Sequence, residues 1–160
     1  MKIDVFQTTL TRYSSLEIID YPRMGPPKRV SVIEVELTPC FPGDVLVVMG
    51  HVEVTNDLPY AVEVCRRVSI EGGVGGNSGA LISPEAGENV SPQTWKREVF
   101  PGQHHMLIPF SGVHVMQSET DRIYVAVVMY AGGSSMTKPN EFLKVEQSTN
   151  HLDVLRFREG

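Results

Sequence analysis

The sequence predicts an all-β protein, an antiparallel β-sandwich of jelly-roll type with about eight strands and an extended N-terminal arm. Three observations lead there. Apolar residues recur at a period of two through most of the chain. Pro, Gly, Asn and Asp gather between those segments, where turns need them. No stretch carries the helical period that a crossover between parallel strands would need. At 160 residues the chain fits one domain, long enough to bury roughly 70% of its unfolded surface. The expected division is an arm over residues 1–29 and a single sandwich over residues 30–160.

The elements follow in chain order. The arm is apolar at Val5, Phe6, Leu10, Tyr13, Leu16, Ile18 and Ile19, too apolar for a free tail. One turn of helix is expected over residues 12–19, broken by Pro22, Pro26 and Pro27. VSVIEVEL, Val30 to Leu37, reads as the first strand. In VLVVMGHVEVT, Leu46, Val48, Val52 and Val54 mark one face, and Gly50 a bulge or bend. After the turn Asn56-Asp-Leu-Pro59, Tyr60 to Ile70 repeats the alternation, so the two strands are expected to pair as a hairpin. His105 to Phe110 ends at the turn signal Ser111-Gly112, and Leu143 to Glu146 and Leu152 to Phe157 close the set. The most apolar segment, Ile123 to Ala131, shows no alternation, so both of its faces need cover.

Composition narrows the function classes. With 19 acidic against 14 basic residues the formal charge is -5, which repels a nucleic-acid backbone; the short cluster at Lys28-Arg29 reads as a solvated turn. The longest apolar run is about half of what a membrane-spanning helix needs. The N-terminus has no apolar core of a signal peptide, so cytosolic synthesis is expected. Two cysteines, Cys40 and Cys65, are too few for a disulfide framework and lack CxxC spacing, so they read as unreactive structural thiols. No nucleic-acid or membrane partner is expected.

No motif names a reaction. The stretch EGGVGGNSGA, residues 71–80, follows a strand but precedes no helix, and its glycines fit neither GxGxxG nor a P-loop. It reads as a loop between strands, and no cofactor is expected. The histidines are the other place for chemistry. His104, His105 and His114 are weak metal candidates, with His51, Glu119 and Asp121 as further donors, but adjacent residues on a strand point to opposite faces and cannot share one ion without a bulge. A cupin, a jelly-roll metalloenzyme, would show HxH and a following glutamate; PGQHH, residues 101–105, departs from that. Asn77-Ser78-Gly79 is not a nucleophile elbow. Trp95, the only tryptophan, and Asn77 are the candidate ligand-binding residues, for instance toward a glycan, with Trp95 expected in a loop.

The double-sided segment points to self-association. Tyr124, Ala126, Val128 and Tyr130 form a second apolar face that a monomeric sandwich would leave wet, and either they or the arm residues Val5, Phe6 and Leu10 are the expected interface of a homo-oligomer, with a trimer favoured. In outline the chain resembles trimeric β-sandwich assembly modules: tumour-necrosis-factor-like and C1q-like domains, and the decoration or fibre-head proteins of phage virions. The resemblance covers architecture over residues 30–157 and implies a non-enzymatic protein of a virion-like assembly that binds other assembly proteins or surface glycans. A carbohydrate-binding module is the alternative, and a cupin-like metalloenzyme the third reading.

Overall fold

The computed structural model describes residues 1–20, 30–73, 88–89, 95–133 and 141–160. They form eleven strands, and no helix occurs among the described residues: β1 (Lys2–Thr8), β2 (Ser15–Asp20), β3 (Val30–Leu37), β4 (Val45–Thr55), β5 (Val62–Gly73), β6 (Glu88–Asn89), β7 (Trp95–Val99), β8 (Met106–Val115), β9 (Arg122–Gly133), β10 (Phe142–Val145) and β11 (His151–Arg158). Two sheets account for them. In the first, the order is β1-β11-β4-β8, with β10 continuing the β11 edge of β4. In the second, β3-β9-β5-β7 lie side by side, with β6 beside the far end of β5. Successive principal strands alternate between sheets except at β5 and β7, which pair within the second, and this is the jelly-roll order of two interleaved Greek keys. The expected fold class is therefore observed, with eight principal strands and three accessory ones.

The core lies between the sheets. Leu46, Val48, Val52 and Val54 of β4, Leu152 and Val154 of β11, and Ile108 and Phe110 of β8 face Val62, Val64, Val68 and Ile70 of β5 and Ile123, Val125, Val127 and Met129 of β9. These are the period-two positions of the sequence, buried because alternate side chains of a strand share a face. Arg66 shares the inward parity of β5; it is buried, and burial pushes its guanidinium pKa down.

Several expectations are corrected. β4 and β5 do not form a hairpin: β4 pairs with β8, β10 and β11, and β5 with β6, β7 and β9. The connection between them crosses from one sheet to the other. It is held by Asn56, fully buried, whose Nδ2 donates to Tyr60 O (3.0 Å) and Val99 O (2.9 Å) while its Oδ1 accepts from Leu58 N (2.9 Å). A buried amide replaces the ladder hydrogen bonds a hairpin would have made. Ser111-Gly112 is no turn, because β4 templates β8 straight through it, with Ser111 opposite Met49 and Gly112 opposite Val48. Gly50 makes no bulge: its register to Phe110 and Leu152 is unbroken. It is instead a point of close approach, where a Cβ would lie 2.1 Å from His151 O.

The N-terminal segment is not draped over the sandwich. Lys2–Thr8 is an edge strand, antiparallel to β11 in the first sheet. Residues 15–20, expected to include a helical turn, are strand β2: it pairs antiparallel with β10, then parallel with β9, and so joins the two sheets. Leu16 and Ile18 are buried at a strand spacing, and open edges on β9 and β10 outweigh weak local preference. Trp95 opens strand β7 rather than lying in a loop.

Candidate interaction surface

Of the four residues expected as an interface on β9, two have described side chains. Tyr124 and Ala126 are buried within the single chain, apart from the main core. Their cross-strand neighbours are Glu36 and Glu71 beside Tyr124, and Glu34 and Ser69 beside Ala126. Both side chains are thus withdrawn from solvent in the single chain. The side chains of Val128 and Tyr130, like that of Trp95, lie outside the described ones, as do Asn77 and residues 74–87 of the glycine-rich stretch.

The open apolar surface lies on the first sheet. Inward residues of β11 and β4 are the even ones, so the odd ones face out, and the register sets them in rows. One row runs Ile3, Phe157, Val45, Val115; the next runs Val5, Leu155, Val47, Val113. Both rows are wholly apolar across all four strands. Ile3 is 54% exposed, Val5 56%, Val113 62% and Val115 44%, while the central residues are half-buried by their neighbours. The third row, Gln7, Asp153, Met49, Ser111, adds one exposed methionine. Leu10 is exposed beyond the end of β1, and Phe6 turns inward against the core.

Beyond the third row the face becomes polar. His151 lies opposite His51, their rings edge to face at 4.4 Å between centroids. His51 Nε2 is 2.8 Å from Thr149 O, and His151 Nε2 is 3.6 Å from Asp153 Oδ2. At the far end His105, at φ 53°, places Nδ1 3.4 Å from Glu53 and 4.0 Å from Glu146. His105 N also donates to Thr55 Oγ1, which in turn donates to Glu146 Oε1. Asn150 ties this corner to the N-terminal segment through Thr11 Oγ1 and donates to Glu146 O.

The histidines expected as metal candidates do not converge. His104 is exposed and pairs with Asp57 at 2.9 Å. His105 precedes β8, whereas His114 sits near its other end, opposite Leu46, about 30 Å away at strand rise. Among the described residues no three His, Cys, Asp or Glu side chains are placed to hold a metal ion.

A buried ionic clamp holds the apolar end of the face in place. Arg156, 3% exposed, donates to Asp4 Oδ2 (2.8 Å), to Thr38 O (2.9 Å) and Pro39 O (3.0 Å), and to Thr38 Oγ1 (2.9 Å). Arg158 Nη2 donates to Asp44 Oδ2 at 2.6 Å. These hydrogen bonds hold the Asp4 and Asp44 carboxyls below the usual carboxylate range and raise the Arg158 guanidinium. The clamp fastens edge strand β1, with Ile3 and Val5, to β11 and to the turn before β4. Cys40, fully buried beside Arg156, has its thiol pushed up by burial.

No protein-family model matches the chain, and no curated protein matches it. Solved structures do. The crystal structure of the infectious bursal disease virus VP2 subviral particle aligns over 96% of this chain and 33% of its own, with a TM-score of 0.56 at 10% identity. Infectious bursal virus-derived T=1 particles align with a TM-score of 0.56 at 12% identity, over 96% of this chain and 31% of theirs. The T13 viral particle of the same virus aligns over 96% and 30%, with a TM-score of 0.54 at 13% identity. The chain spans about a third of the length of these proteins, and the likeness is one of fold.

Proposed function

We propose that this chain is a non-enzymatic structural module of a virion-type assembly, working through surface contact with other protein copies. The observation that carries the reading is the outer face of the first sheet: two complete rows of apolar side chains, held open by a clamped edge strand, on a fold similar to that of virus capsid proteins. A regular apolar patch of this kind, exposed on one face of a sheet, supports a contact role. Incorporation into a virion, in a surface-exposed decoration or fibre-head role, is the finer form of the same proposal. A threefold assembly would have to draw its contacts from elsewhere than Tyr124 and Ala126, which are spent inside the chain.

Light scattering and negative-stain microscopy of the purified protein test the reading. Association beyond a monomer at micromolar concentration is expected. A protein that stays monomeric and carries stoichiometric iron, zinc, copper or manganese by elemental analysis would overturn it in favour of a metalloenzyme.

A further inference from the structure

We propose that the outer face of the sheet β1-β11-β4-β8 docks a second copy of this chain, sheet against sheet. The inference rests on the assembly reading above and names the surface through which it works.

The two apolar rows carry no charge, so two copies can meet across them without opposing like charges, and the carboxylates farther along the face, Asp153 and Glu53, each have a histidine beside them, His151 and His105. They are flat and regular, as two sheets packing about 10 Å apart require. Four strands about 4.8 Å apart make the face roughly 19 Å wide, and the first three rows make it roughly 17 Å long, or about 320 Å². Adding the histidine and Glu53–Leu107 end, where β1 has ended and three strands remain, brings it to about 500 Å² per copy. Two such faces bury about 1,000 Å², at the lower limit for a specific interface and below the roughly 1,600 Å² of a standard one. The predicted contact is accordingly modest in strength, suited to an assembly in which many copies reinforce one another.

The edges are less suited to pairing than the face. β8 carries Pro109, which has no N–H to offer a neighbouring strand. β1 has its Asp4 turned to Arg156 and presents Lys2 at its outer end. A face-to-face contact between like surfaces is isologous, so it closes on a twofold axis. That axis runs near the centre of the face, between β4 and β11, and brings Val5 of one copy toward the apolar strip of the other. An anionic lipid surface is disfavoured by the chain's formal charge of -5.

The test is sedimentation velocity over the micromolar range on the unaltered chain and on Val5→Lys, Val113→Lys and Glu98→Lys. Val5 and Val113 are more than half exposed and lie on different edge strands, so each variant keeps its core. Glu98 is exposed on β7 of the other sheet. The unaltered chain and Glu98→Lys should self-associate alike, and each valine variant should weaken association about tenfold or more at an unchanged melting temperature. Association unaffected by either valine substitution would overturn the docking face while leaving the assembly reading intact. A chain monomeric throughout the range would overturn both, and one that stays monomeric yet binds phosphatidylcholine vesicles would give the face to lipid instead.

Discussion

Replacing Gly50 with alanine is the sharpest single test of the sandwich geometry. Gly50 has φ +156°, a value that residues with a side chain rarely adopt, and it lies mid-strand between Phe110 on β8 and Leu152 on β11. A Cβ there would lie 2.1 Å from His151 O and 2.7 Å from the Phe110 ring. Ordinary contact begins near 3.4 Å, so the closer approach is short by about 1.3 Å. Neither neighbour gives easily: His151 O is main chain of a strand paired on both sides, and Phe110 is packed in the core. Forcing apart a packed interior costs about 1–3 kcal/mol, and the strained backbone adds about 1–2 kcal/mol. The expected loss is thus about 3–4 kcal/mol, a large part of the roughly 5–15 kcal/mol that holds a domain folded. For a chain of this size the melting temperature should fall by about 10 °C. Urea unfolding of the two proteins, with equal slopes, measures the difference. A loss within about 1 kcal/mol would refute the close approach of β4 to β11 at this point.

Further outcomes follow from the clamp and the crossing turn. Because the Asp4 and Asp44 carboxyls titrate lower folded than unfolded, the unfolded chain takes up protons first as pH falls. Stability should therefore be level above about pH 5 and decline below about pH 4, and Asp44→Asn should flatten that decline in a series of thermal melts. Cys40, fully buried with its thiol pushed up, should react with a thiol reagent in a Cys65→Ser background only as fast as the protein unfolds; prompt labelling in the native state would contradict its placement. Asn56→Ala should cost about 2–3 kcal/mol by leaving Val99 O buried without its amide donor, read by chemical denaturation; a loss below about 0.5 kcal/mol would show that the crossing turn does not depend on it.

Much of the fold was legible because it rests on local alternation. The core residues of β4, β5 and β9 stand at period-two positions, and the turns between them carry the expected Pro, Gly and Asn. The errors came where local pattern admits two tertiary outcomes. A polar turn between two alternating strands suits a hairpin and a crossing equally, and Asn56 decided for the crossing only once it was buried between Tyr60 O and Val99 O. Strands β2 and β7 are short, and only the edges of β9, β10 and β5 make them strands. His51 is a candidate donor in the sequence, but its partner His151, and the Asn150–Glu146 corner, are distant in sequence and meet only through β4 and β11.

By itself the sequence determined the class of structure: strands rather than helices, one sandwich, an acidic chain with no phosphate cradle, and segments too apolar to stay uncovered. It also held the trace of the exposed apolar face, in the unbroken run VLVVM at the start of β4 and in Leu155 and Phe157 of β11. Only the tertiary structure decided which apolar surplus is spent inside the chain and which is left outside. At Tyr124 and Ala126 the second face of β9 is buried within the chain, whereas Ile3, Val45, Val115 and Phe157 lie far apart in the chain and become one row only when four strands pair in register. Periodicity reports which residues share a face of one strand; pairing alone decides which strands lie side by side, and so where an apolar surface large enough to bind is formed.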